Sequence, residues 1–333
     1  MKVFAFEFFS GGGLAGQPLP AGLVHEGDLM LTTLVGELAT LPGVVVIASR
    51  DPRLPPVAGS ETLTPLGDED PLSLYRRGAA AAQAAWPTAP ESGGMLERLA
   101  QATVDAGRIL LGCRPEAVRL TTSKRATARA LQACGVPAVA TFARGDALPR
   151  LPGPWVVKPD DGAGSEDTDR VEDSARALVR LAAEPARLVA QPWVEGEAVS
   201  LSLLCAGGAC RLLACNRQEI AVRDGRVSLE AIQVNALPDP DRRFAGLAGR
   251  IAAAVPGLWG YVGVDLVLTR DGPVVLEVNP RLTTSYVALR SALGLNVPAL
   301  VLDLVESPAS ALDAGAVPGG VAVEIRLEPS HAS

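Results

Sequence analysis

The sequence predicts an α/β unit followed by an α+β unit, arranged as three domains over 1–114, 115–195 and 196–330. Three observations carry this reading. Short apolar runs alternate with helical periodicity through the first hundred residues, which implies a parallel sheet faced by helices. From residue 196 onward the chain is mostly strand-like, with turns at Gly207-Gly208 and Asp224-Gly225. Two apolar runs, 260–268 and 274–281, are joined by Thr269-Arg270-Asp271-Gly272-Pro273 and read as a hairpin.

The elements follow in order. A strand over 2–9 ends in Ser10-Gly11-Gly12-Gly13, a run open to three readings: a phosphate nest, a substrate loop or a flexible strand exit. A helix is expected over 28–41, a strand over 44–49, helices over 75–86 and 95–106, and a strand over 108–112. One helix should run from Pro115 through Thr122-Ser123-Lys124-Arg125 to about Ala133, where Gly135-Val136-Pro137 stops it, with a short strand over 138–142. A strand over 155–159, a helix over 174–183 and a strand over 187–194 come next. Strands over 199–204, 211–215 and 227–235, a helix over 242–254, the hairpin, helices over 285–293 and 298–306 and a strand over 321–327 complete the chain.

Composition narrows the function. With 333 residues, 48% apolar and 20% charged, the chain is long enough for two or three domains with sizeable cores. A net charge of −7 argues against a general nucleic-acid or membrane-surface binder, so an anionic substrate would need local lysines and arginines. No run of eighteen apolar residues occurs, and Glu7 falls too early for a signal peptide, which predicts a cytoplasmic protein. Five cysteines without C-x-x-C spacing read as reduced residues of strand cores. Only His25 and His331 are present, so the chemistry should rest on carboxylates, lysines, arginines and a metal.

The hairpin is the most informative segment. Side chains alternate across a strand, so Glu277 and Asn279 share one face. A three-residue loop, Arg270-Asp271-Gly272, would set Asp265 opposite Glu277 at roughly 5 Å between Cβ atoms, with Asn279 diagonal at about 7 Å. Acids lodged among valines and leucines in this way suit a divalent cation with hard oxygen ligands. Magnesium, or manganese, fits better than zinc, which would ask for cysteine or histidine. Upstream, Lys158 ends an apolar strand and precedes Pro159-Asp160-Asp161-Gly162-Ala163-Gly164-Ser165. A glycine loop rooted in a lysine lets backbone N–H groups approach phosphate, yet neither the Walker pattern nor G-x-G-x-x-G is present.

Taken in order, Lys124, Lys158 with its glycine loop, Gln191-Pro192-Trp193-Val194-Glu195-Gly196-Glu197, and Asp265…Glu277-Val278-Asn279-Pro280-Arg281 resemble the ATP-grasp superfamily over about 115–305. The first part is similar to the α/β domain that precedes the ATP-grasp fold in those enzymes. The resemblance implies that Lys124 and Lys158 reach ATP phosphates, that Gly162, Gly164 and Ser165 form a lid, and that Gln191, Trp193 and Val194 flank adenine. It implies Glu197, or alternatively Glu195, at the ribose. Asp265, Glu277 and Asn279 would hold the cation, and Arg281 would touch the transferred phosphate beside Lys158. Many relatives place an aspartate before the first lysine, where this chain has Ser123.

Phe6-Glu7-Phe8-Phe9-Ser10, Cys215-Asn216-Arg217-Gln218 and the stretch from Glu277 to Tyr286 further resemble the branch containing tyramine–glutamate ligases of methanofuran biosynthesis. That implies an ATP-dependent ligase joining a glutamate γ-carboxyl to an amine, tyramine or tyrosine, through an acyl phosphate. Arg217, Thr283, Thr284, Glu7 and Gly12 are the substrate-side candidates. A phosphotransferase, a ligase for another amino acid and a non-catalytic ATP-binding regulator are the alternatives. Expected partners are ATP, an amino acid and an amine, with neither nucleic acid nor membrane, and a homodimer is left open.

Overall fold

The computed structural model describes residues 1–162, 167–184, 187–313 and 319–327. Its first half is built from β1 (Lys2–Glu7), α1 (Ala21–Ala39), β2 (Val45–Ser49), β3 (Glu61–Leu63), α2 (Pro71–Ala80), β4 (Ala84–Thr88), α3 (Met95–Asp105) and β5 (Ile109–Leu110). These strands form a parallel sheet in the order β3-β2-β1-β4-β5. Alternation along β1 divides its core in two. Val3 and Ala5 pack with Leu31, Leu34 and Leu38 of α1, while Phe4 and Phe6 meet Tyr75 on the other face, with ring centroids 5.4 and 5.2 Å apart. Gly78 of α2 is required there, because a Cβ would lie 2.2 Å from the Phe4 ring.

The helix expected over 75–86 is two elements. It begins earlier, at Pro71, with Asp70 accepting from the backbone N–H groups of Leu72 and Ser73, and it ends at Ala80. Ala84-Ala85-Trp86 then pairs with β1 as the strand β4. A run of alanines suits a helix or a buried strand, so periodicity could not divide it. Likewise α1 starts at Ala21, just after Pro20, rather than at 28.

The second half contains α4 (Pro115–Thr122), α5 (Lys124–Ala133), β6 (Phe142–Ala143), β7 (Trp155–Pro159), β8 (Asp169–Val171), α6 (Ser174–Ala183) and β9 (Leu188–Pro192). It continues with β10 (Glu197–Ala206), β11 (Ala209–Arg223), β12 (Arg226–Val234), α7 (Arg243–Ala254), β13 (Gly260–Thr269), β14 (Gly272–Asn279), α8 (Leu289–Leu293), α9 (Val297–Glu306), α10 (Pro308–Asp313) and β15 (Val323–Arg326). Its strands join in the order β14-β13-β10-β11-β12-β8-β7-β9-β6, with β15 on β12.

Three further expectations are corrected. The single helix over 115–133 breaks at Ser123, whose extended backbone ends α4 and whose hydroxyl caps α5 by accepting from Ala126 N at 3.0 Å. Residues 138–142 are not a strand: Ala138 makes an isolated bridge to Val275, and only Phe142–Ala143 joins the sheet. The cysteines are all free, but Cys134 is exposed at the end of α5 rather than in a strand core. Among the described residues, no single helix is long and apolar enough to cross a membrane.

One buried acid ties the halves together. Tyr286 donates to Glu37 of α1 at 2.8 Å, and burial pushes the Glu37 carboxyl up to about 7. A folded-state pKa raised above the unfolded value gives stability that is complete below pH 4.5 and is lost as pH rises through about 7. Glu37→Gln, which can still accept from Tyr286, should therefore gain roughly 1–3 kcal/mol over the natural protein at pH 8 and nothing at pH 4. Urea denaturation at the two pH values measures the difference.

Candidate functional site

A cleft of ≈ 860 Å³ lies between the two halves, reached by the hairpin, by β7, β9, β10 and β11, and by the C-terminal ends of β1 and β4. The hairpin shapes its charged wall. Its loop is Arg270-Asp271, with Thr269 opposite Gly272, one residue shorter than the sequence suggests. Continued without interruption, that register would set Asp265 against Leu276. A bulge between Asp265 and Leu266 takes up one residue of β14 and places Asp265 opposite Glu277 and Gly263 opposite Asn279. The expected pairing is reached through a different loop. Gly263 makes room, since a Cβ there would lie 2.5 Å from the Thr283 methyl group.

Four charges and two amides meet on this wall. Glu277 Oε2 lies 3.4 Å from both Lys124 Nζ and Lys158 Nζ, and Lys124 also donates to the Gly162 carbonyl at 2.6 Å. Asp265 accepts from Asn279 Nδ2 at 2.8 Å and from Gln218 Nε2 at 2.9 Å. Burial and the neighbouring Glu277 charge push the Asp265 carboxyl up, against the pull of the two amides. Burial also works against the ionised Glu277, but the two lysines outweigh it and hold this acid below the usual range. Lys158 is lowered by burial and by Lys124, with Glu277 opposing. Among the described residues no three His, Cys, Asp or Glu side chains converge as a metal set. What the wall offers is two mutually repelling carboxylates and an amide, donors that fit a hard divalent ion keeping part of its own water.

Arg281 leaves the hairpin toward the first half, where Nε and Nη2 reach the two carboxylate oxygens of Glu91 at 3.0 and 3.1 Å. The pair is largely buried, with Glu91 5% exposed. Asp160 accepts from Ser123 Oγ at 2.6 Å and from Arg125 N at 2.9 Å, which fixes the start of α5 beside Lys124. Asp161 accepts from Gly93 N and, through its carbonyl, from Ser92 Oγ. Behind the wall, the Tyr261 hydroxyl lies 2.8, 3.1 and 3.2 Å from the hydroxyls of Thr283, Ser202 and Ser285.

Gln191 is buried in β9 and donates to Thr141, while Trp193 carries the Arg170 guanidinium 5.1 Å from its ring centroid. Both line the cleft, as do Val194, Gly162, Thr284 and Glu7. Glu197 lines it too and pairs with Arg217, whereas Glu195 is exposed and is not among the lining residues. Gly12 is not among them either, and a Cβ on it would lie 2.5 Å from Pro65. Gly164 and Ser165 lie outside the described residues. Glu91, Asp160 and Gln218 carry site contacts that the sequence reading did not assign. Asp160 and Gln218 sit inside the motifs that drew attention, but Glu91, 190 residues from its partner, had no local signal.

Residues 121–285 match the family model described as ATP-grasp domain, and residues 44–118 match the pre ATP-grasp 3 domain. The chain belongs to the ATP-grasp superfamily and carries the pre-ATP-grasp domain in front of it. It is 30% identical over 181 residues to a tyramine–L-glutamate ligase from Methanocaldococcus jannaschii, covering 54% of this chain and 50% of that one. It is also 30% identical over 154 residues to an assigned α-L-glutamate ligase from Xanthomonas axonopodis pv. citri, covering 45% of this chain and 50% of that one. The chain thus spans about half the length of these curated relatives. Its fold matches a protein from Archaeoglobus fulgidus assigned to the ATP-grasp superfamily, with a TM-score of 0.72, 23% identity and coverage of 98% and 92%. It also matches an L-amino acid ligase from Bacillus licheniformis, with a TM-score of 0.64, 18% identity and coverage of 92% and 74%.

Proposed function

We propose that the protein is an ATP-dependent carboxylate–amine ligase that activates the γ-carboxyl of glutamate as an acyl phosphate and joins it to an amine such as tyramine or tyrosine. The observation that carries the reading is the convergence of Lys124, Lys158, Asp265, Glu277 and Asn279 on one wall of the cleft. Two lysines beside a carboxylate pair are the arrangement needed to take up a triphosphate with its divalent cation. Glutamate is common to the names of both curated relatives, which supports the acid side more strongly than the amine side.

Little covalent work falls to the protein in such a reaction, and positioning with charge neutralisation does most of it. Lys124 and Lys158 would bind phosphate oxygens and hold the triphosphate along the wall. Asp265, Glu277 and Asn279 would hold magnesium, or manganese, which when bound neutralises phosphate charge and acts as a Lewis acid. Gln191, Trp193 and Val194 would wall the adenine, and Glu197 would accept from the ribose hydroxyls, taking precedence over Glu195 because it faces the cleft. Arg281, steadied by Glu91, would meet the negative charge that develops as the phosphoryl group passes to the acid. Gly162 and the loop after it would shield the acyl phosphate from water.

ADP release should require both glutamate and the amine, and the product should be the amide. ADP release with glutamate and no amine at an undiminished rate would favour a phosphotransferase, and no turnover with any acid–amine pair would favour a regulator.

A further inference from the structure

The nucleotide wall leaves one end of the cleft unexplained. In the sheet order β3-β2-β1-β4-β5 the chain turns to opposite sides after β1 and before β4, so a crevice opens at the carboxyl ends of these two strands, where open α/β sheets receive ligands. Glu7 and Thr88 are the last residues of β1 and β4 and are register partners, and both line the cleft. Across from them, Leu23, Glu26, Gly27 and Met30 recur at helical spacing on the face of α1 that borders the same cavity. Gly27 lets this approach happen, since a Cβ there would lie 2.3 Å from Glu7 Oε2.

Three groups here want a partner. Glu7 is 3% exposed, and Glu26 accepts from Thr284 at 2.9 Å; among the described residues neither carboxylate has an ion-pair partner. The cation nearest in effect, Arg281, pairs with Glu91 and in the proposed reaction faces the phosphoryl group rather than these two acids. Thr88 is 2% exposed, and its hydroxyl has no hydrogen-bond partner among the described residues. A buried acid without a counter-ion is costly unless a cation arrives to match it. Burial raises both carboxyls above their ordinary value, Glu7 to about 7, against the hydrogen bonds from Ser10 and Thr284 and the more distant charge of Arg281, with His25 also acting on Glu26.

We propose that this end of the cleft is the amine subsite, where Glu7 and Glu26 bind a primary ammonium group, the Thr88 hydroxyl completes its shell, and Phe9, Leu23 and Met30 receive an apolar body. The site selects amines without a carboxylate of their own. A third negative charge would face the buried Glu7 and the half-buried Glu26, and Arg281, the arginine that acts on both, is already committed to Glu91. Of tyramine and tyrosine, the subsite takes tyramine. The assignment depends on the ligase reading for its place in a reaction, but binding tests it without turnover.

Equilibrium binding of tyramine to the full-length protein at pH 7.5 with magnesium and ADP present is the deciding measurement. Tyramine should bind at least about tenfold more tightly than L-tyrosine. Glu7→Gln should weaken tyramine at least about tenfold while the ADP affinity stays within about twofold, and Glu26→Gln should repeat the result if the first variant does not fold. Thr88→Val should cost tyramine about threefold, the size of one lost hydrogen bond. Absence of tyramine binding to the natural protein, equal affinity for tyrosine, or binding that survives both acid-to-amide changes would overturn the subsite. Failure of the ligase reading looks different: tyramine binds as described, but no acid makes ADP release depend on it.

Discussion

Glu277→Gln is expected to reduce ADP release at least about 10²-fold while the protein stays folded, because the substitution keeps the shape of the side chain and removes the charge on which the wall is organised. Glu277 lies 3.4 Å from two buried lysines and opposite Asp265 in the ladder. Without it, Lys124 and Lys158 repel each other with no anion between them, and a divalent cation held as proposed would have one carboxylate instead of two. Lys158, already lowered by burial and by Lys124, would fall further toward its neutral form. The loss should appear in turnover and in magnesium affinity together. Far-ultraviolet circular dichroism would confirm the fold, and unchanged magnesium-dependent turnover would remove Glu277 from the site.

Arg281→Ala should be the most destabilising of these changes. It leaves Glu91, 5% exposed, without its bidentate partner, and breaking a buried pair from one side costs about 3–5 kcal/mol. It should also abolish ADP release. Arg281→Ala combined with Glu91→Ala should recover most of the stability and none of the activity, since the orphaned charge is gone but the guanidinium is still missing. Urea midpoints for the single and double variants, set beside their ADP release, separate the two roles. Equal destabilisation in both would show that the pair is not what couples the halves.

Much of this site was readable in the sequence because its residues are out of place locally. Asp265 among valines and leucines, Lys158 at the end of an apolar strand, and Glu277 with Asn279 two residues apart all contradict a purely structural strand. The Asp265–Glu277 pairing was legible although the loop was not: a two-residue turn with a bulge and a three-residue turn lead to the same partner. Elements were lost where composition left the backbone free to choose. The alanines of 79–85 fit a helix or a strand, and the break at Ser123 depends on a cap that only the folded chain reveals. Glu91 and the hydroxyl of Thr88, unpartnered among the described residues, were invisible for another reason, since their meaning lies in neighbours far along the chain.

The ties between Glu91 and Arg281, Glu26 and Thr284, and Glu37 and Tyr286 all run from the first 100 residues to the stretch just after the hairpin. Were the chain severed near residue 114, each fragment would inherit acids or bases tailored to the other. The pieces would be poor candidates for independent life and good ones for reassembly when mixed. Exchanging loops around this cleft should therefore disturb the molecule less than replacing either lobe with a stranger's.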